Sequence, residues 1–253
     1  MISDPWFYAA AVPALLINGI SKGGLGGGLG ILAIPVIAMT LPSTQAAGIV
    51  LPVLMLMDAV GVWAYRKRFD ARILIPLLPS AILGNSIGYL TFAWLNDKII
   101  GLMVGLIAVG FTLDAWFHHQ ESAPAKPGNF WKGTFWGTIS GFTSFVSHAG
   151  GPPLNVYLLP LKLDKSTFAG TAVMYFAFVN LTKLPAYAAL GQFSRGNLLT
   201  ALALSPVAPA GMYAGIWLQG RINPRWFFRI VYWLVFASGL KLIWEGGHYI
   251  FTR

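Results

Sequence analysis

The sequence predicts an all-α, polytopic membrane protein built from two inverted-topology repeats, with broken or re-entrant helices at its glycine-rich motifs. Three observations lead there. Of the 253 residues, 56% are hydrophobic and only 10% charged, whereas a soluble globular chain carries about a quarter charged residues. Apolar runs recur along the whole chain, and no polar stretch is long enough to fold alone. Two short motifs, KGGLGGGLG at Lys22–Gly30 and SHAGGPP at Ser147–Pro153, interrupt apolar sequence near the start of each half.

The apolar runs cover 6–21, 28–41, 45–65, 73–94, 99–117, 131–146, 154–163, 167–189, 197–218 and 226–244. A full span needs about 20 residues. The runs 6–21, 28–41, 131–146 and 154–163 are shorter. A continuous helix over 6–41 would be about 54 Å long, against a hydrocarbon core of about 30 Å. The chain must therefore break or turn back at the glycines, and likewise around His148–Pro153. Met1–Asp4 carry no Lys or Arg, so no secretory signal is read there and the first run is expected to be retained.

Two halves share sparse identities in a consistent order. Thr44–Gly48 lies over Ser166–Gly170, and Asp58 over Asn180, at one offset. Gly84 and Gly88 lie over Gly211 and Gly215, and Asn96 over Asn223, at an offset five residues longer. These matches divide the chain into a first repeat at 1–118, a cytoplasmic linker at 119–129 and a second repeat at 130–253. The net charge of +9 sits in short loops, where it specifies topology and does not indicate nucleic acid. Arg66, Lys67, Arg68 and Arg72 form the strongest cytoplasmic signal, followed by Lys126, Lys132, Lys162, Lys165, Arg221 and Arg225. Both termini are then expected in the periplasm, with an odd number of crossings per half, which inverts one repeat relative to the other. Trp94, Trp116, Trp131 and Trp226 lie near run ends, as interfacial belts require. The two GxxxG pairs suit either a homodimer or internal packing.

Chemistry-bearing residues are few. Cys is absent, which removes thiolate metal sites and Cys nucleophiles, and no metal or other cofactor is expected. No H-E-x-x-H, Walker A or nucleophile elbow appears, so an enzyme is not expected. Gly23, Gly24, Gly26, Gly27 and Gly28 free the backbone beside Lys22, and the helix expected from about Leu29 would present its N-terminus to an anion. Gly150, Gly151, Pro152 and Pro153 place a second helix start beside His148. Asn18 and Asn155 are further polar groups in apolar runs. The expected binding set for a small anion is Asn18, Lys22, Gly24, Gly26, Gly27, Gly28, His148, Gly150, Gly151, Pro152 and Asn155. Asp58, an intramembrane carboxylate, is a coupling candidate together with His148, Asn180 and Lys183. It is read either as a proton or cation site or as a structural partner of Lys22 or Lys183. Lys183 either snorkels to the interface or faces the cavity.

The runs Asn18–Pro35, Leu41–Asp70 and Ser144–Pro160, with their Gly-rich element after an Asn, basic loop and HAGGPP motif, resemble the TauE/SafE family. The resemblance covers nearly the whole chain. It implies export of a sulfur-containing anion, such as sulfite, sulfoacetate or a related organosulfonate, across the bacterial inner membrane. It agrees with the anion site read from the residues. Two other readings remain at this level: a cation-coupled carrier or channel with Asp58 as its ion site, and a membrane scaffold that transports nothing.

Overall fold

The computed structural model describes residues 1–27, 36–37, 40–41, 43–91, 97–117 and 124–251. Among them the ordered elements are all helical: α1 (Pro5–Gly24), α2 (Ser43–Tyr65), α3 (Ala71–Thr91), α4 (Asp97–Phe117), α5 (Phe130–Ser147), α6 (Gly151–Leu158), α7 (Lys165–Ala189), α8 (Arg195–Leu204), α9 (Val207–Arg221) and α10 (Pro224–Phe251), with one 3₁₀ turn at Leu159–Leu161. Gly28, the helix start expected near Leu29, and Trp94 lie outside the described residues.

Polar residues fix where the helices begin. The Asp4 carboxylate accepts from Trp6 N at 3.0 Å, with Pro5 in the first turn, so one orphan donor is met and a second never exists. Asn129 caps α5 through Lys132 N at 2.9 Å, Asp164 caps α7 through Ser166 and Thr167 N at 3.1 Å, and Ser194 caps α8 through Asn197 N at 3.2 Å. Between these caps the apolar composition does the rest, because a backbone in hydrocarbon must satisfy its own hydrogen bonds.

Helices α2, α3, α4 and α10 are each long and apolar enough to cross a membrane, and α8 with α9 makes a fifth span if counted together. The protein is a multi-pass membrane protein. The run 197–218, expected as one span, is bent by 42° between α8 and α9. Pro206 and Pro209 lack the N–H groups that would continue the ladder. The Ser205 carbonyl instead accepts from Ala208 N at 3.2 Å. The outer surface is apolar, with Leu90, Met103, Leu106 and Leu202 all more than half exposed, as lipid contact demands.

One end of the bundle is basic. Asp70 N donates to Thr171 Oγ1 at 3.0 Å, Lys126 N to Pro160 O at 3.0 Å, and Lys165 Nζ to the Gln219 and Ile222 carbonyls at 2.7 and 2.8 Å. These bonds gather the loop Arg66–Arg72, the linker, the end of α6, the start of α7 and the α9–α10 turn. Arg66, Arg221 and Arg229 stack over Trp63, Trp217 and Trp226 at 4.9, 4.7 and 5.5 Å, an interfacial arrangement. At the opposite end Ile2 N donates to Thr200 Oγ1 at 3.1 Å and Gln45 Nε2 to Asn197 Oδ1 at 3.2 Å. Helix α5 rises from the basic end and α6 returns toward it, where Tyr157 donates to Asn129 O at 3.3 Å.

Glycines set which helices touch. A Cβ on Gly84 would run into Thr138 O, and one on Gly215 into Ile20 O. Gly88 faces Phe145 on α5, and Gly211 faces Gly19 on α1. The pairs Gly84/Gly88 and Gly211/Gly215 are thus buried inside the molecule and are spent on the α3–α5 and α1–α9 contacts. The remaining large contacts join α2 to α7 and α4 to α10. Gly84→Ala and Gly215→Ala are expected to cost about 1–3 kcal/mol each by overpacking, read as a lower melting temperature in detergent. Gly110 and Gly220 have open space where a Cβ would sit, so Gly110→Ala and Gly220→Ala should leave that temperature unchanged or higher.

Candidate functional site

Helix α1 stops after Gly24 because Gly26 and Gly27 take φ of 69° and 76°, a left-handed conformation that glycine adopts without steric cost. Its last carbonyls are still met: Ser21 O accepts from Leu25 N at 2.7 Å and Gly27 N at 3.0 Å, and Gly23 O accepts from the Tyr65 hydroxyl at 2.6 Å. Helix α5 stops the same way, with His148 at φ 54°. There Ser144 O accepts from His148 N at 3.2 Å and Thr143 O from Ala149 N at 3.1 Å, while Ser140 Oγ donates to Gly150 O at 2.7 Å. A histidine held in this region costs about 1–3 kcal/mol of backbone strain.

Between the two breaks lies a cavity of about 40 Å³, lined by Asn18, Lys22, Gly27, Leu54, Ser144, His148, Gly151, Phe176 and Asn180. Lys22 Nζ sits 2.6 Å from Asp58 Oδ1. Asp58 Oδ2 accepts from Asn180 Nδ2 at 2.8 Å, across 122 positions of sequence. Lys183 does not snorkel: it is fully buried and donates to Ser144 O at 2.6 Å and Ser144 Oγ at 2.8 Å. Lys183 therefore meets the carbonyl end of α5, which stops inside the protein and where the partial negative charge favours a cation; Lys22 lies in the last turn of α1. Among the described residues the buried Lys, Arg, Asp and Glu side chains are Lys22, Asp58 and Lys183. Residues 28–39 contain no ionisable side chain. The centre thus holds two lysine side chains and one aspartate.

Two polar side chains are left over. His148 Nε2 is buried at the cavity with no hydrogen-bond partner, its ring 6.3 Å from that of Tyr187. Asn155 is fully buried, and neither of its amide atoms has a partner. A buried unpaired polar group costs about 1–3 kcal/mol.

The structure sorts the expected set. Asn18, Lys22, Gly27, His148 and Gly151 line the cavity, joined by the coupling candidate Asn180. Gly24 does not: it ends α1 and packs on Gly215. Gly26 faces Phe168 and Asn155 Oδ1. Gly150 is wedged among Ser140, Ser144 and Phe176. Pro152 and Pro153 open α6, and because neither has an N–H, that helix start offers an anion fewer donors than a usual first turn. Lys22 and Lys183 bring amino groups to the same centre. Ser144, Leu54 and Phe176 were not in the expected set. Ser144 had a detectable signal, since it lies under Lys22 at the offset that pairs Asp58 with Asn180. The other two are apolar residues in apolar runs and carried none.

Removing one member of the buried pair leaves the other charge stranded. Asp58→Asn and Lys22→Met are each expected to cost about 3–5 kcal/mol. The double variant, which leaves no half-pair, should be closer to wild type in melting temperature than either single one. His148→Gly should hold or raise the melting temperature, since glycine accepts the left-handed backbone.

The family model described as Sulfite exporter TauE/SafE matches residues 11–242. No curated protein and no solved structure matches the chain.

Proposed function

The chain belongs to the TauE/SafE sulfite exporter family, a family of transporter-type membrane proteins, and from that premise we propose that it is a secondary carrier exporting a small sulfur oxyanion, such as sulfite, sulfoacetate or a related organosulfonate. The observation that carries this reading is the excess of lysine at the centre: among the described residues, Lys22 and Lys183 are buried with Asp58 as the one buried acidic side chain. An isolated charge inside a membrane is expensive. An entering anion supplies the missing negative charge, and the unpartnered His148 Nε2 supplies a hydrogen-bond partner. Asn18, Lys22, Gly27, Ser144, His148, Gly151 and Asn180 are the groups it would meet.

The carrier is read as two inverted repeats, 1–118 and 130–253, joined by the cytoplasmic linker 119–129. Support comes from the contact pattern. Asp58 and Asn180, matched by sequence offset, meet directly, α4 meets α10, and the glycine pairs of α3 and α9 pack on α5 and α1. A two-fold axis between the halves would produce this pairing. The α5–α6 hairpin, which begins and ends at the basic end, is read as re-entrant. The Gly-rich segment is read as its counterpart from the other side, since α1 starts and α2 starts at the opposite end. The basic end is assigned to the cytoplasm of a bacterial inner membrane and both termini to the periplasm. Export of an anion from a negative interior then gains about 2.3 kcal/mol per charge for each 100 mV. Both Asp58 oxygens are engaged, by Lys22 and by Asn180, which favours the anion reading over a cation site at that carboxylate.

Purified protein in liposomes should take up radiolabelled sulfite under an imposed potential that is positive on the side receiving the anion. Lys22→Ala and His148→Ala should each reduce the rate at least about tenfold, the scale of one lost charge-assisted hydrogen bond. His148→Gly, whose fold is expected to be sound, should lose transport equally. Unchanged transport in these variants would sink the site, and no transport by the wild type would sink the function.

A further inference from the structure

One aromatic side chain stands on the basic-end side of the central cavity. Phe176 lies on α7 one turn before Asn180, on the side of Lys165 and therefore of the basic end. Its ring spans the two breaks. A Cβ on Gly27 would come 3.2 Å from Phe176 Cε2, and one on Gly150 would come 3.1 Å from Phe176 Cε1. Each break thus has a glycine where the ring edge passes, and any larger residue at either position would press on it. Phe176 is also the only aromatic carbocycle among the cavity-lining residues.

The space on either side of the ring differs greatly. Toward the basic end lies a vestibule of about 480 Å³, whose lining includes Asp70, Arg72, Lys126, Asn129 and Tyr157. Helix α6 runs from the cavity at Gly151 to this vestibule at Tyr157, and Asn155 lies between them, beside Gly26. Behind the ring the cavity measures about 40 Å³. A water occupies about 10–15 Å³ of such space, so the cavity admits roughly three to four heavy atoms. That is an oxyanion head without a carbon tail. A tail running from that head toward the basic end would meet the Phe176 side chain, which lies on that side of the cavity.

We propose that Phe176 is the residue that determines substrate length, closing the central site on its basic side so that a bare sulfur oxyanion is accepted and a chain-bearing sulfonate is refused. This rests on the anion-carrier reading above and narrows its substrate class. Removing the ring would open an apolar space, and a cavity of about 150 Å³ holds a molecule the size of benzene. Three carbons of an alkyl tail fit within that. Each methylene that a pocket discriminates is worth about 10–200-fold.

The test uses a series of equal charge and identical head group: methanesulfonate, ethanesulfonate and propane-1-sulfonate as competitors of radiolabelled sulfite uptake in proteoliposomes. In the wild type, inhibition should weaken at least about tenfold from the one-carbon to the three-carbon anion. Phe176→Ala should abolish that decline, read as the ratio of inhibition by the three-carbon and one-carbon anions within the variant, and Phe176→Leu should reduce it by an intermediate amount. Phe178→Ala, on the same helix but away from the cavity lining, should retain the wild-type decline. The proposal is overturned if Phe176→Ala and Phe176→Leu keep the wild-type dependence on length, or if the wild type is inhibited equally by all three. A wild type that takes up no sulfite overturns the transport reading itself, an outcome distinct from either of these.

Discussion

Two buried lysines share one buried carboxylate, and much of the surrounding structure follows from keeping that arrangement tolerable. Lys22 has Asp58 at 2.6 Å. Lys183 has no carboxylate of its own among the described residues and donates to Ser144 O and Oγ. That carbonyl also accepts from His148 N at 3.2 Å, so it serves the last turn of α5 and the Lys183 amine together. Lys183 thus sits at the carbonyl end of α5, where the partial negative charge of the helix favours a cation. Lys22 in turn occupies the last turn of α1.

Close backbone approach is what allows these charges to converge. Lys22 lies among Gly19, Gly23 and Gly24, whose Cβ positions are taken by the α9 backbone at Gly211, Met212 and Gly215. Ser144 lies near Gly141, which meets the α3 backbone at Ala81. Small residues at helix crossings are the usual means of association in lipid, where apolar surfaces gain little from meeting each other. Here they also bring the side chains one turn away to a common centre. Asn85 adds a polar tie between α3 and α7, donating to Val179 O at 3.0 Å and Thr182 Oγ1 at 2.7 Å.

Much of this was legible in the sequence, and the limits are physical. The extents of most described helices followed from apolar run length, because hydrocarbon leaves the backbone little choice. The breaks followed from the same length argument, and Lys22, Asp58 and His148 stood out because ionisable groups are rare in such runs. The bend between α8 and α9 was missed because hydropathy does not register the lost N–H groups of Pro206 and Pro209. Gly24 and Gly27 are three residues apart in one motif, yet one packs on Gly215 and the other lines the cavity. A composition argument treats them alike, and only the register of α1 against α9 separates them. Whether Lys183 reached the interface or the interior depended likewise on the rotation of α7, which an almost uniformly apolar helix does not encode.

Phe176 illustrates the harder case. In a run such as Val173–Val179 an aromatic residue is by default packing material, and its neighbours Tyr175 and Phe178 are spent that way: Tyr175 donates to Gly137 O at 2.8 Å, and Phe178 packs at the margin of the core. What distinguishes Phe176 is the absence of side chains around it, at Gly27 and Gly150. Both glycines belong to breaks whose apparent purpose was backbone freedom, and for Gly27 its φ of 76° already accounts for the residue. Gly150 has no such excuse, since its φ of −72° suits any L-residue. Its smallness is required by what it faces, Ser140 O, Ser144 Cβ and the Phe176 ring. The second break is therefore shaped around that ring as well as around the helix it terminates, which is the expected condition of a side chain that bounds a site and does not merely fill a core.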